Sequence, residues 1–218
     1  MRKRRDMRSP LFCQEKAEGK RMNRYTIART DGGNIPAGVT VLSLDHILWE
    51  PDCGVRAGGT IRHDGEHLFV TLRAKEKDIR AEYLTAPSPV HEDSCLEFFF
   101  MPAEEERYLN FEVNPNGCLH LGFGRNREER ETILLPDAVS FFGIRTGRTP
   151  DSWEVSCRIP GEFLRRCYPG FRFAGTLRAN VYKCGDRTVR PHYLAWNKVD
   201  AAAPDFHRPE CFGEMVFG

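Results

Sequence analysis

Apolar and polar residues alternate with a period of two along much of the chain. Leu109, Phe111 and Val113 alternate with Tyr108, Asn110, Glu112 and Asn114. Trp153, Val155, Cys157 and Ile159 alternate with Ser152, Glu154, Ser156 and Arg158, and Leu177, Ala179 and Val181 with Arg178, Asn180 and Tyr182. Such a pattern places one face of a strand in a core and leaves the other outside it. Shorter runs predict further strands over 24–29, 39–44, 66–73, 95–100, 117–123, 139–145, 192–196 and 213–217. Turn signals separate them at Asp31-Gly32-Gly33, Asp64-Gly65, Pro115-Asn116-Gly117, Pro169-Gly170 and Gly185-Asp186. One segment, 160–168, bracketed by Pro160 and Pro169, reads as a short helix. Many short strands with regular turns predict an all-β fold, an antiparallel β-sandwich of two sheets with about ten strands and one short helix.

Composition bounds the class. The chain has 218 residues, 40% hydrophobic and 29% charged, which suits one globular domain with a substantial core. No apolar run approaches the roughly 18–20 residues of a membrane span, so no membrane partner is expected. The 32 basic and 31 acidic residues nearly cancel, which gives no reason to expect nucleic acid. The charge is nevertheless uneven. Residues 1–22 hold eight Lys/Arg and three acids, or +5, leaving −4 on the remainder. This head lacks an apolar segment, its longest run being Leu11-Phe12-Cys13, so it is not a secretory signal. It reads as a disordered tail, as a start assigned too early with Met22 the true one, or as a polyanion-binding arm. The expected division is a basic tail over 1–22 and one domain over 23–218. The eight cysteines form no Cys-x-x-Cys pair. They read as thiols in a reducing compartment, hence a cytoplasmic protein, or an extracellular one if the start is misassigned.

Candidate chemistry lies in one predicted hairpin. If 95–100 and 107–114 are joined by a four-residue loop around Ala103–Glu106, paired residues have numbers summing to 209. Glu97 then faces Glu112, and Phe99 faces Asn110. Facing carboxylates destabilise a sheet unless something compensates: a basic side chain, a cation or a hydroxyl-rich ligand. Tyr108, Asn110, Glu112 and Asn114, with Asn180 and Tyr182 on another strand, make a row of donors and acceptors suited to a neutral polyol. The same row also fits the wet face of an ordinary sheet. Two carboxyls so placed also admit glycoside hydrolysis by Glu97 and Glu112.

Four segments carry a family resemblance. Pro89-Val90-His91-Glu92-Asp93-Ser94-Cys95-Leu96-Glu97-Phe98-Phe99, Tyr108–Asn114, Arg178–Asp186, and Trp196 with Pro204–Gly213 resemble, in order, four strand and loop segments of carbohydrate-binding module family 9. They are most similar to its stand-alone, bacterial, DOMON-like members. The resemblance implies a β-sandwich and a non-catalytic site for a mono- or oligosaccharide, with a role in polysaccharide or oligosaccharide catabolism. It implies two clamping aromatics at His91 and Phe206, where well-studied members carry tryptophans, and a ligand-binding glutamate at Glu97. Glu112 stands where the family has a basic ligand residue and Tyr182 where it has an amide. With Asn110, Asn180 and His207 these complete the expected ligand set. Members of the family can also bind calcium structurally, for which Asp64, Asp93 and Asp205 are candidates here, though no clustered loop demands it. The replaced clamp leaves a second reading open, a sandwich that no longer binds sugar and serves as an interaction domain.

Overall fold

The computed structural model describes residues 22–31 and 38–218. The basic head over 1–21 lies outside the described residues, as do 32–37. The strands are β1 (Arg24–Arg29), β2 (Leu42–Ser43), β3 (His46–Leu48), β4 (Arg56–His63), β5 (His67–Lys75), β6 (Cys95–Pro102), β7 (Tyr108–Val113) and β8 (Leu119–Gly124). They continue as β9 (Glu131–Thr132), β10 (Arg145–Arg148), β11 (Ser152–Pro160), β12 (Thr176–Cys184), β13 (Tyr193–Ala195) and β14 (Gly213–Phe217). Two short helices, α1 (Ala138–Phe141) and α2 (Gly161–Cys167), and 3-10 turns at Val90–Glu92 and Pro209–Cys211 complete the described elements. None is a helix long and apolar enough to cross a membrane.

The main strand path runs β10-β11-β5-β4-β1-β14-β12-β6-β7-β8-β9, with β2, β3 and β13 off this path. β1 is the joint. Its first four residues pair in parallel with Glu214–Phe217 of β14, and Ala28 and Arg29 pair in parallel with Arg62 and His63 of β4. The expectation of a wholly antiparallel arrangement is therefore corrected: the sheet is mixed and curls at β1. The reason is that β1 and β14 come from opposite ends of the chain, so no hairpin dictates their direction.

Three element expectations also change. The 139–145 run forms α1 and a turn before β10, because Phe142 anchors its apolar face among Phe111, Phe141 and Phe163. Strand β4 is masked in the sequence by Gly58-Gly59. A Cβ on Gly59 would lie 2.1 Å from the Thr71 carbonyl oxygen, so glycine is what lets β4 lie so close to β5. Fourteen strands rather than about ten, and two helices rather than one, among the described residues, follow from these and from the two- and three-residue pairings at β2, β3 and β9. The β6–β7 hairpin has the expected register, with Glu97 opposite Glu112 and Phe99 opposite Asn110. The helix expected over 160–168 is α2, with Phe163 and Leu164 buried and Glu162 and Arg166 at favourable ends.

β6, β7 and all but the start of β12 are buried on both faces. Their inner face, with Phe98, Phe100, Phe111 and Val181, packs into one apolar cluster with Leu72 of β5, Trp153 of β11 and Phe163 of α2. One polar network crosses this core. Lys183 Nζ donates to the Cys184 carbonyl at 2.6 Å and to His192 Nε2 at 2.6 Å, and pairs with Glu76 at 3.2 Å. Glu76 also accepts from Ser94 Oγ at 2.8 Å and Trp153 Nε1 at 3.0 Å. A buried ion pair returns its desolvation cost only when its remaining donors and acceptors are met, as they are here. Burial, then the Lys183 charge, hold His192 down to about 4, so it is neutral and able to accept.

Lys183→Met leaves Glu76 without its cation and should lower stability by about 3–5 kcal/mol. Adding Glu76→Gln to that variant should recover part of the loss. Urea midpoints of wild type, single and double variants check this; equal midpoints for wild type and Lys183→Met would contradict it.

Candidate functional site

The outer face of β6, β7 and β12 forms the floor of a cleft. Strand pairing sets its rows: Tyr182, Glu97, Glu112 and His120 lie side by side across four strands, with Cys184 and Cys95 paired in the row beyond. Four loops wall it. The 197–212 loop brings Pro204, Asp205, Phe206 and His207, the turn after β3 brings Trp49, the 125–130 loop brings Arg127 and Arg130, and the turn at Val90–Glu92 brings His91. Asp186 and Tyr193 close the remaining side, and the enclosed volume is about 160 Å³.

Of the eight ligand residues named from sequence, the cleft gathers five: His91, Glu97, Glu112, Phe206 and His207. His91 is exposed at the rim. Asn110, Asn180 and Tyr182 do not line the cleft. Asn180 Nδ2 donates to the Asn197 carbonyl at 2.8 Å, and its Oδ1 accepts from the Asn197 and Val181 amides. Those bonds tie down the start of the 197–212 loop. Tyr182 stacks flat on Phe206, centroids 4.0 Å apart and planes 7° from parallel, and its hydroxyl donates to the Phe206 carbonyl. Asn110 Nδ2 donates to Glu112 Oε1 at 2.8 Å. The alternation of β7 therefore does not mark a wet face: its polar row is covered by the loops and bonded internally.

The three aspartates considered for calcium serve separate local structures. Asp93 accepts from the Glu82 and Tyr83 amides and from Asn114 Nδ2, and meets Arg80 at 3.3 Å. Asp64 caps the turn before β5 through the Glu66 and His67 amides. Asp205 accepts from the His207 amide in the cleft wall.

Sequence reasoning misses Trp49, Arg127, Arg130, Asp186 and Tyr193. Trp49 adopts φ 57°, in the left-handed region that a bulky residue rarely visits. Its indole Nε1 donates to the Ala201 carbonyl at 2.7 Å, and its ring meets Tyr193 at 5.4 Å and Phe206 at 5.5 Å. The costly backbone is thus held by packing, a pattern that clusters at functional sites. Its only sequence signal is a tryptophan just before Glu50-Pro51, outside any periodic run. Arg127 and Arg130 sit in Arg-Asn-Arg-Glu-Glu-Arg, which reads as solvated charge.

The electrostatics are set by two carboxyls in a dry place. Burial, then the Glu112 charge, push Glu97 well above the carboxylate range. Burial raises Glu112 to about 7 against the opposing pull of Arg130, whose Nη1 lies 3.4 Å away. The two titrate together, and neither can ionise without regard to the other. Arg130 also donates to His207 Nε2 at 2.7 Å, which places the ring proton on Nδ1, facing Tyr108 Oη at 2.7 Å. Burial and the Arg130 and Arg127 charges hold His207 down to about 2. His120, beside Glu112, is held to about 4 by burial, then Arg130. Asn110 Oδ1 and His120 Nε2 are buried without a hydrogen-bond partner among the described residues. The cleft thus presents a donating carboxyl, two guanidiniums, several acceptors and three aromatic rings in one small volume.

The family model for carbohydrate-binding family 9 matches residues 36–217. A candidate carbohydrate-binding protein from Bacteroides uniformis, solved as a crystal structure, is similar with a TM-score of 0.77 at 26% identity, over 91% of this chain and 100% of that one. A carbohydrate-binding module of family 9 from Caldicellulosiruptor kristjanssonii in complex with glucose has a TM-score of 0.62 at 14% identity, over 90% of this chain and 96% of that one. The cellotriose complex of a family 9 module from the same organism gives 0.61 at 14%, over 89% and 93%. At 14% identity the likeness is one of fold. No curated protein matches the chain.

The carboxyl pair makes a signed prediction. A carboxyl raised to about 7 takes up a proton on folding between about pH 4.5 and 7, so its contribution to stability is lost as pH rises through that window. The lowered histidines act oppositely, losing stability as pH falls below about 6.5. Glu112→Gln removes the first effect and leaves the second. Urea unfolding at pH 5 and pH 8 should show the variant gaining on wild type at the higher pH; a gap that is the same at both would contradict the shared titration.

Proposed function

The chain belongs to carbohydrate-binding family 9, and on that premise we propose that it binds a mono- or short oligosaccharide, without transforming it, in the cleft over Glu97 and Glu112. The observation that carries the reading is the coincidence of Trp49, Tyr193 and Phe206 with a floor and walls of mixed donors and acceptors. Sugar rings offer an apolar C–H face and a rim of hydroxyls that both donate and accept, so they need both kinds of surface. The family 9 modules holding glucose and cellotriose support the ligand class. The aromatic clamp here differs from a pair of tryptophans. Phe206 has one face taken by Tyr182, and Trp49 reaches in from a different loop. We read the two strand groups on either side of β1 as the layers of a sandwich, and the role as part of poly- or oligosaccharide catabolism.

A second reading draws on the carboxyl pair. Glu97 and Glu112 are direct cross-strand partners, and a pair of neighbouring carboxyls is what glycoside hydrolysis uses. A raised Glu97 is also what an acid catalyst needs. Turnover of aryl glycosides that is abolished in Glu97→Gln would replace binding by hydrolysis.

Titration calorimetry with glucose, cellobiose and cellotriose tests the main reading. Trp49→Ala and Phe206→Ala should each weaken binding by about 10-fold, the scale expected when one stacking ring and the area it buries are removed. Folded protein that gives no heat with any sugar of a wider panel would sink the proposal.

A further inference from the structure

We propose that the dry corner of the cleft floor binds a thiophilic divalent cation, zinc being the ion that fits, through the thiolates of Cys95 and Cys184 and the carboxylate of Glu97. The register makes the group. Cys95 and Cys184 are direct partners across β6 and β12, and Glu97 lies two residues along β6 on the same face. Their ligand atoms all lie within 4.8 Å of one another, and all three residues are buried. Cys184 Sγ sits 2.9 Å from Glu97 Oε1. A tetrahedral zinc, with Zn–S near 2.3 Å and Zn–O near 2.1 Å, holds two sulfurs about 3.8 Å apart and a sulfur and an oxygen about 3.6 Å apart. Side-chain movements of about an ångström from the observed spacing reach that geometry.

The donor set selects the ion. Two sulfurs and one carboxylate suit zinc and disfavour calcium or magnesium, which take oxygen ligands. Three protein ligands leave the fourth position open. Glu97 and Cys184 line the cleft while Cys95 lies behind them, so that position faces the space where a ligand hydroxyl or water would sit. Three acidic side chains meet in one buried spot, and a dication would supply the positive charge that their ionised forms need. On binding, two thiol protons and the carboxyl proton pass to solvent, and the residual negative charge faces Arg130, which already acts on Glu97. Affinity should therefore rise with pH. The inference rests on the strand register and donor chemistry and does not depend on what else the cleft holds.

The test uses the full chain, reduced and stripped of metal, titrated with cobalt(II) and then zinc(II). One equivalent of cobalt should produce a thiolate-to-cobalt charge-transfer band and the visible bands of tetrahedral cobalt, both displaced by zinc. Cys95→Ala and Cys184→Ala should each weaken binding by about 100-fold or more, since even outer partners of a metal site cost 10–100-fold. Glu97→Gln, close to isosteric, should keep the sulfur band but bind more weakly, and Cys53→Ala, a thiol outside the group, should leave it unchanged. Folded wild type without a sulfur-to-cobalt band overturns the proposal. So does a band of full intensity in both cysteine variants, or a non-reduced mass two hydrogens short with Cys95 and Cys184 linked. Calorimetry with sugars on the same preparation separates the two readings, because sugar binding without the cobalt band sinks the metal site alone.

Discussion

Nearly every residue of β6, β7 and most of β12 is buried, on the inner face by the core and on the outer face by the loops around the cleft, and much of the molecule follows from that. A strand buried on both faces can carry a polar side chain only if the protein, or something bound to it, meets that group's hydrogen-bonding needs. On the inner face the condition is met for Lys183 by Glu76, His192 and the Cys184 carbonyl. On the outer face it is met for Asn180 by Asn197 and for Tyr108 by His207, while Asn110 Oδ1 and His120 Nε2 have no hydrogen-bond partner among the described residues. The core side is closed and the cleft side is left with unmet capacity. That difference separates a structural polar network from a recognition surface.

The loops owe their positions to the same floor. Tyr182 fixes Phe206 by stacking, Asn180 fixes the chain at Asn197, and Tyr108 fixes His207, which in turn orients Arg130. Residues that look in sequence like ligand readers thus act one step back, holding the residues that line the cleft. Two limbs of sheet meet underneath, and the Glu76–Lys183 pair ties the end of β5 to β12 so that the floor cannot tilt without breaking a buried ion pair.

Local pattern reveals most of the longer strands, α2 and the register of the β6–β7 hairpin, because alternation and a short polar turn are properties of neighbouring residues. Pattern is silent where the deciding contact is distant. The parallel pairing of β1 joins residues about 190 apart in the chain, roughly Tyr25 with Met215. The Gly58-Gly59 break in β4 makes sense only once the Thr71 carbonyl is seen beside it. In the cleft, Glu97, Glu112 and the segment holding Phe206 and His207 are visible through their setting and family likeness. Trp49, Arg127 and Arg130 are not, since a positive φ and a loop folded over a sheet leave no periodic trace. Alternation also cannot tell water from a covering loop, which is why the polar row of β7 fits both a wet face and a ligand-reading one.

β1 lies alongside β14 and then β4, all running in one direction. Tension applied oppositely to the start of β1 and the end of β14 loads the hydrogen bonds of their ladder together in shear, where a hairpin would peel open bond by bond. The joint that curls the sheet is also a mechanical clasp. If both ends were tethered, force would have to rupture this clasp before it reached the strands that carry the cleft.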